Sequence, residues 1–274
     1  MAVRVITDSS ACLPAEVADD LDITIIDLHV MQNGEERSTS GLSSLELAAA
    51  YARQLERGGD QGVLALHISK ELSSTWSAAV TASAVFTEGA VRIVDTGSLG
   101  MVVGAAAMAA AKLAKDGASL EECYGIAVDT LRRSETWVYL HRIDELRRSG
   151  RISTATAVVS TALANRPIMR VSDGRMEMAA KTRTQSKAFA KLVELAQIRA
   201  EGEPVFVAIA QNEAREAARS LQQLLQESLP EGSSFMLVDL DPTLAVHSGP
   251  GAISVSCVFS SEVVDTPVEK PGRR

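Results

Sequence analysis

The chain is poor in most of the features that announce an activity. It has three cysteines among 274 residues, Cys12, Cys123 and Cys257. They are far apart and odd in number, which excludes a disulfide framework, offers no cysteine-based metal site and points to a reducing compartment. Aromatic residues make up 4%, too few for platforms on which nucleic-acid bases stack. Lys and Arg number 27 against 35 Asp and Glu, a net charge of -8, and phosphate affinity without excess positive charge is poor. The longest apolar run, from Leu99 to Ala111, is well short of the ~20 residues that span a bilayer. The opening MAVRVITDSS lacks the apolar segment of a secretory signal. A cytoplasmic protein without an integral membrane segment is expected, with any membrane-surface contact transient.

Catalytic templates are missing as well. No G-x-x-x-x-G-K-[ST] loop, G-x-G-x-x-G turn or G-x-S-x-G elbow occurs; in TGSLG, Gly97 adjoins Ser98 directly. No histidine pair has zinc spacing. No metal, no cofactor and no self-contained hydrolysis or ATP chemistry are expected.

What is present is a repeated alternation of strand and helix. VRVIT, ITIIDLHVM, GVLALHIS and VRIVDT read as strands. Between and after them, SSLELAAAYARQLERGG, SSTWSAAVTASAVF and LGMVVGAAAMAAAKLAKDG have helical spacing. Ser9 and Ser10 are candidate caps for a helix near Pro14. Residues 120–153 read as helical and polar. ALANRPIMRVSDGRMEMAAKTRT reads as two strands about an Asp173-Gly174 turn. A helix to about Arg199, a strand at PVFVAIAQ, a helix at EAREAARSLQQLLQESL and strands at SSFMLVDL and AISVSCVF complete the pattern. The expected fold is therefore α/β with two domains. Residues 1–154 form a three-layer α/β/α domain with a mainly parallel sheet, residues 155–262 a smaller two-layer domain with a mixed sheet, and residues 263–274 a frayed tail.

Parallel sheets bind ligands at the carboxyl ends of their strands. Small hydroxyl residues gather there: Ser38, Thr39, Ser40 and Ser43 in one stretch, Ser73, Ser74 and Thr75 in another. Beside a helix N-terminus they suit a carboxylate or phosphate, although for any single serine simple capping is the better explanation. His247 precedes the Gly249-Pro250-Gly251 turn and by itself reads as a polar residue at a turn. Gly100, Gly104, Ala107 and Ala111 give one helix face little volume, which fits tight packing or room for an elongated apolar ligand. The basic residues Arg132, Arg133, Arg142, Arg147, Arg148 and Arg151, with Lys181, Arg183 and Lys187 later, fit a partner surface and a solvated helix face equally.

Taken in order, these pieces resemble the DegV family, which includes the bacterial fatty-acid-binding subunits called FakB. ITDSSACLP resembles I-T-D-S-x-x-D-L-P with Cys12 at the usual acid, and TSGLS resembles T-S-Q-P-S. ISKELSSTWSAA is similar to I-S-S-x-L-S-G-T-Y-x-S-A, and LRRSGRIS to L-x-x-G-G-R-I-S. NRPIMRVSDGRM, RTQSKA and HSGPGA resemble K-P-I-L-x-x-x-D-G-x-I, R-T-x-x-K-A and H-x-G-P-G-A. Each is weak alone; in this order, over nearly the whole chain, they are specific.

The resemblance implies a DegV-like fold that holds a long-chain fatty acid between two domains. It implies a lipid-binding protein rather than an enzyme, one that presents the acid to a separate ATP-dependent kinase. The product is an acyl-phosphate for phospholipid synthesis. Burying about sixteen methylenes at ~0.8 kcal/mol each supplies on the order of 13 kcal/mol of gross driving force. Carried over by motif, Thr39, Ser40, Ser73, Ser74, His247 and Gly249 surround the carboxylate, and Arg183 lies at the head-group mouth or the kinase-docking face. Ser74 stands where the family has Gly, Trp76 where it has Tyr, and Gly41-Leu42 where it has Gln-Pro. Two other readings stay open: an autonomous phosphotransfer enzyme related to dihydroxyacetone kinases and using His247, and a carrier of another apolar acid.

Overall fold

A computed structural model describes residues 2–34, 36–152 and 166–261. The expected domain boundary at 154/155 and the tail at 263–274 lie outside the described residues.

Four short strands form a parallel sheet in the order β2-β1-β5-β6: β1 Arg4–Asp8, β2 Ile23–Ile26, β5 Val63–His67 and β6 Val91–Asp95. Strand β5 is buried at every position, as a central strand covered on both faces must be. Helices α2 (Ser44–Gly58) and α3 (Thr75–Ser83) cover one face over Ile6, Val63 and Ala65. Helices α1 (Ala15–Leu21), α4 (Met101–Lys115) and α5 (Leu120–Arg132) cover the other over Val5, Leu64 and Leu66. Capping boxes at Ser43/Glu46 and Ser119/Glu122 start α2 and α5.

The second sheet has six strands in the order β11-β10-β12-β7-β8-β9. These are β7 Ser134–Tyr139, β8 Arg166–Ser172, β9 Arg175–Thr182, β10 Phe206–Gln211, β11 Ser234–Asp239 and β12 Ile253–Val258. Only β10 and β11 pair in parallel; the other neighbours are antiparallel. Helices α7 (Gln185–Ala200) and α8 (Arg215–Ser228) pack on its outer face around Leu192, Val207, Ile209 and Leu221. The β8–β9 turn takes positive φ at Asp173 (48°) and Gly174 (76°), the geometry expected of an Asp-Gly hairpin.

Helix α4 joins the two sheets. Its apolar residues pack against Leu64 and Leu66 of one sheet and Ala208 and Ala210 of the other. A Cβ on Gly104 would lie 3.0 Å from the Ala11 carbonyl oxygen. Its small residues therefore serve close packing between sheets, the first of the two readings left open.

Four expectations need correction. Residues 120–153 are not one helical stretch: β7 interrupts them and sits inside the second sheet. Trp137 and Tyr139 face one side of β7 and Val138 and Leu140 the other, a two-residue period hidden among arginines. The run ITIIDLHVM divides at Asp27-Leu28 into β2 and β3 (His29–Asn33). β3 forms a ribbon with β4 (Glu36–Ser40), so the STS hydroxyls lie on a strand. The segment Pro242–Ser248 is a short helix, α9, with His247 in its last turn. Ser9 and Ser10 do not cap α1; Pro14 occupies that position without a side-chain cap, and Asp8 caps the turn at Ser9–Ala11.

Candidate functional site

A cavity of about 350 Å³ opens at the carboxyl end of β5, between the two sheets, within the size range of small-molecule sites. Its walls include Leu28, Ile68, Leu72, Leu99, Val138 and Met176. At one side the hydroxyl residues Thr39, Ser40, Ser73 and Ser74 join His247 and the backbone of Gly41.

Thr39 reaches the cavity from the end of β4, and His247 from α9, which packs against β3 and β4. Thr39 Oγ1 lies 2.7 Å from His247 Nε2. Burial, helped by the positive charge of Arg151, pushes the imidazole down to about 4, so His247 is neutral at physiological pH. When Nε2 carries the proton and donates to Thr39, the threonine hydroxyl is free to donate into the cavity.

Ser73 lines the same cavity from the loop after β5. The Leu42 N–H donates to Thr75 Oγ1 at 3.2 Å, and the Thr75 N–H donates to Ser73 Oγ at 3.2 Å. Thr75 Oγ1 also lies 3.0 Å from Ser73 Oγ. With the Thr75 hydroxyl donating, both Ser73 lone pairs are occupied and its own proton is left to donate. The start of α3 adds the partial positive charge of a helix N-terminus. The cluster is thus arranged to receive an acceptor oxygen such as a carboxylate.

Gly41 explains how the two loops come this close. A Cβ there would meet Thr75 Oγ1 at 2.8 Å, Ser74 Oγ at 2.9 Å and Ser73 Oγ at 3.0 Å. Glycine at position 41 thus leaves room for the hydroxyls of Ser73, Ser74 and Thr75 together.

Behind the loops lies a buried polar network that sequence reasoning missed. Asp8 Oδ2 accepts the Ile68 N–H at 2.9 Å and the His67 Nδ1–H at 3.1 Å. Asp8 Oδ1 accepts the Ser10 N–H at 3.1 Å and the Ser10 hydroxyl. Tyr51, whose buried phenol is pushed up and stays protonated, donates to His67 Nε2 at 2.9 Å. The bonds from His67 and Ile68 to Asp8 tie the end of β1 to the start of the loop that carries Ser73. From the second sheet, the β8–β9 turn closes on the same loop: Ser69 donates to the Gly174 carbonyl at 2.9 Å, and Arg175 pairs with Glu71 at 2.6 Å.

The other expected residues stand apart from the cavity. Gly249 ends α9: its N–H donates to the Ala245 carbonyl, its own carbonyl accepts from Asn212, and a Cβ there would meet Glu145 at 3.3 Å. Its backbone approaches α6 (Asp144–Ser149), not the cavity. Arg183 is exposed between β9 and α7, outside the cavity lining. Of the basic stretch, Arg133, Arg142 and Arg148 pair with Asp129, Asp144 and Glu145, while Arg151 lines the cavity. Among the described residues, no group of His, Cys, Asp and Glu is arranged for a metal, and no helix is long and apolar enough to cross a membrane.

The family model described as "Uncharacterised protein, DegV family" matches residues 29–260. A curated DegV domain-containing protein of Corynebacterium glutamicum is 78% identical over the whole of both chains. The crystal structure of a DegV family protein from Corynebacterium glutamicum superposes with a TM-score of 0.94 at 81% identity, covering 96% of this chain and 100% of that one. A DegV family protein from Thermus thermophilus, described as binding fatty acid, is similar at 27% identity with a TM-score of 0.85, covering 94% and 99%.

Proposed function

The chain belongs to the DegV family, and on that premise we propose that it binds a long-chain fatty acid in the cavity between its sheets. The observation that carries this reading is the convergence of two hydroxyl donors, Thr39 and Ser73, at one side of a cavity with otherwise largely apolar walls. Apolar walls take up the acyl chain at about 0.8 kcal/mol per methylene. The carboxylate must recover its hydration from the protein, and hydrogen bonds to a charged group contribute roughly 1.5–3 kcal/mol each. Arg151 supplies the positive charge that a neutral His247 does not.

The protein is a FakB-type carrier rather than an enzyme. It works in the cytoplasm and presents the carboxylate to a partner kinase, which transfers the ATP γ-phosphoryl group to it and gives acyl-phosphate and ADP. Arg183, exposed beyond the cavity, belongs to the surface facing that kinase.

Native mass spectrometry of protein purified from a bacterial host tests the binding. A co-purified long-chain fatty acid is expected, and Ser73→Ala should weaken its retention about tenfold with the fold intact. Protein that stays empty after loading with several fatty acids would count against the reading.

A further inference from the structure

Strand β12 sends Ser254 and Ser256 toward one face by its two-residue period. Ser254 pairs across the sheet with Val138 on one side and Ala210 on the other. It is 2% exposed, it lines the cavity, and its Oγ has no hydrogen-bond partner among the described residues. Alanine would complete an apolar wall here without the cost of a buried unpaired hydroxyl. That hydroxyl faces the ligand space and is separate from the Thr39–His247 and Ser73–Thr75 pairs.

The start of α4 adds a second, independent feature. The helix begins after Gly100 with no side-chain cap, so its N-terminal partial positive charge is not met by a capping oxygen. A Cβ on Gly100 would stand 4.0 Å from Ser254 Oγ and 3.7 Å from Ser256 Oγ. The start of α4 therefore stands close behind the cavity wall at Ser254. A second carboxylate there would lack a counter-charge, because the one charged side chain lining the cavity among the described residues is Arg151, and an unpaired buried charge is costly. A neutral oxygen carries no such cost.

We infer that Ser254 is a specificity residue, selecting acyl chains that bear a hydroxyl or keto oxygen along their length. The inference rests on the fatty-acid reading of the same cavity and narrows its ligand class. It is tested by competition binding on the delipidated full-length protein, with stearate and a positional series of monohydroxystearates as probes. One isomer should bind roughly 3- to 10-fold tighter than stearate, the value of one hydrogen bond. Ser254→Ala should remove that preference while leaving stearate bound equally well or better. Should the alanine variant fold poorly, Ser254→Cys, similar in shape and a weaker donor, should reduce the preference. Stearate binding with no favoured isomer, or a preference that survives Ser254→Ala, overturns the selection and leaves the fatty-acid reading in place. Failure of every probe to bind overturns both.

Discussion

Replacing Gly41 by alanine places a Cβ 2.8 Å from Thr75 Oγ1, 2.9 Å from Ser74 Oγ and 3.0 Å from Ser73 Oγ. No positive φ is involved at this position, so the whole cost is steric. Thr75 is buried and holds the Leu42 N–H, so it cannot rotate away without leaving that donor unmet. Overpacking of this kind costs about 1–3 kcal/mol, and a strained or broken hydrogen bond adds about 0.5–1.5 kcal/mol. Together they give roughly 2–4 kcal/mol, or about 5–12 °C in Tm. The same displacement separates Thr39 from Ser73, so stearate affinity should fall at least about tenfold, the equivalent of one hydrogen bond to a charged group. Thermal melts and calorimetric titration measure both effects. Adding Ser74→Gly to Gly41→Ala relieves one of the three contacts and should recover part of the loss, with a coupling of about 1 kcal/mol in the double-mutant cycle. A Gly41→Ala protein that melts within a degree of the wild type and binds stearate as well would refute the tight convergence of the two loops.

Two further predictions concern titration and the buried network. His247 is held at about 4 in the folded protein and titrates near 6.5 when unfolded. The unfolded chain therefore takes up the proton first: this contribution to stability is complete above about pH 6.5, is lost as pH falls toward 4, and levels off below. A melting series should show the wild type losing more stability than His247→Gln between pH 7 and 5, and parallel curves would remove His247 as the cause. Asp8→Asn replaces an acceptor of four donors with a group that must itself donate. It should lower unfolding stability by about 3 kcal/mol or more in a denaturant titration; a loss under about 1 kcal/mol would show that the network does not hold the loop.

Much of the site was legible because it depends on local chemistry. Ser73 and Ser74 follow a buried strand and precede an Ala-rich helix, so a hydroxyl cluster at a strand's carboxyl end could be read from the residues, and motif order added Thr39 and His247. A glycine beside a histidine reads as an approach to ligand, whereas Gly249 lies outside the cavity lining and its freedom serves the end of α9 against Glu145. Arg151 was hidden among arginines, most of which pair with nearby acids. Strand β7 was hidden because its pairing partners, β12 and β8, lie on either side of a long stretch of chain, and local spacing carries no record of them.

The alternation of strands and helices, the Asp173-Gly174 turn and the capping boxes follow from the sequence itself, because each is decided within a few residues by period, propensity or a cap. Tertiary structure alone decided which hydroxyls meet. Thr39 and His247, 208 positions apart, touch only because α9 packs on the β3–β4 ribbon. Gly41 and Ser74 come close only because two loops from different parts of the chain converge. The unpaired Ser254 acquires meaning only when α4, wedged between the sheets, starts beside it. Contacts of this kind come from the closing of sheets and helices around one another, which no window of neighbouring residues contains.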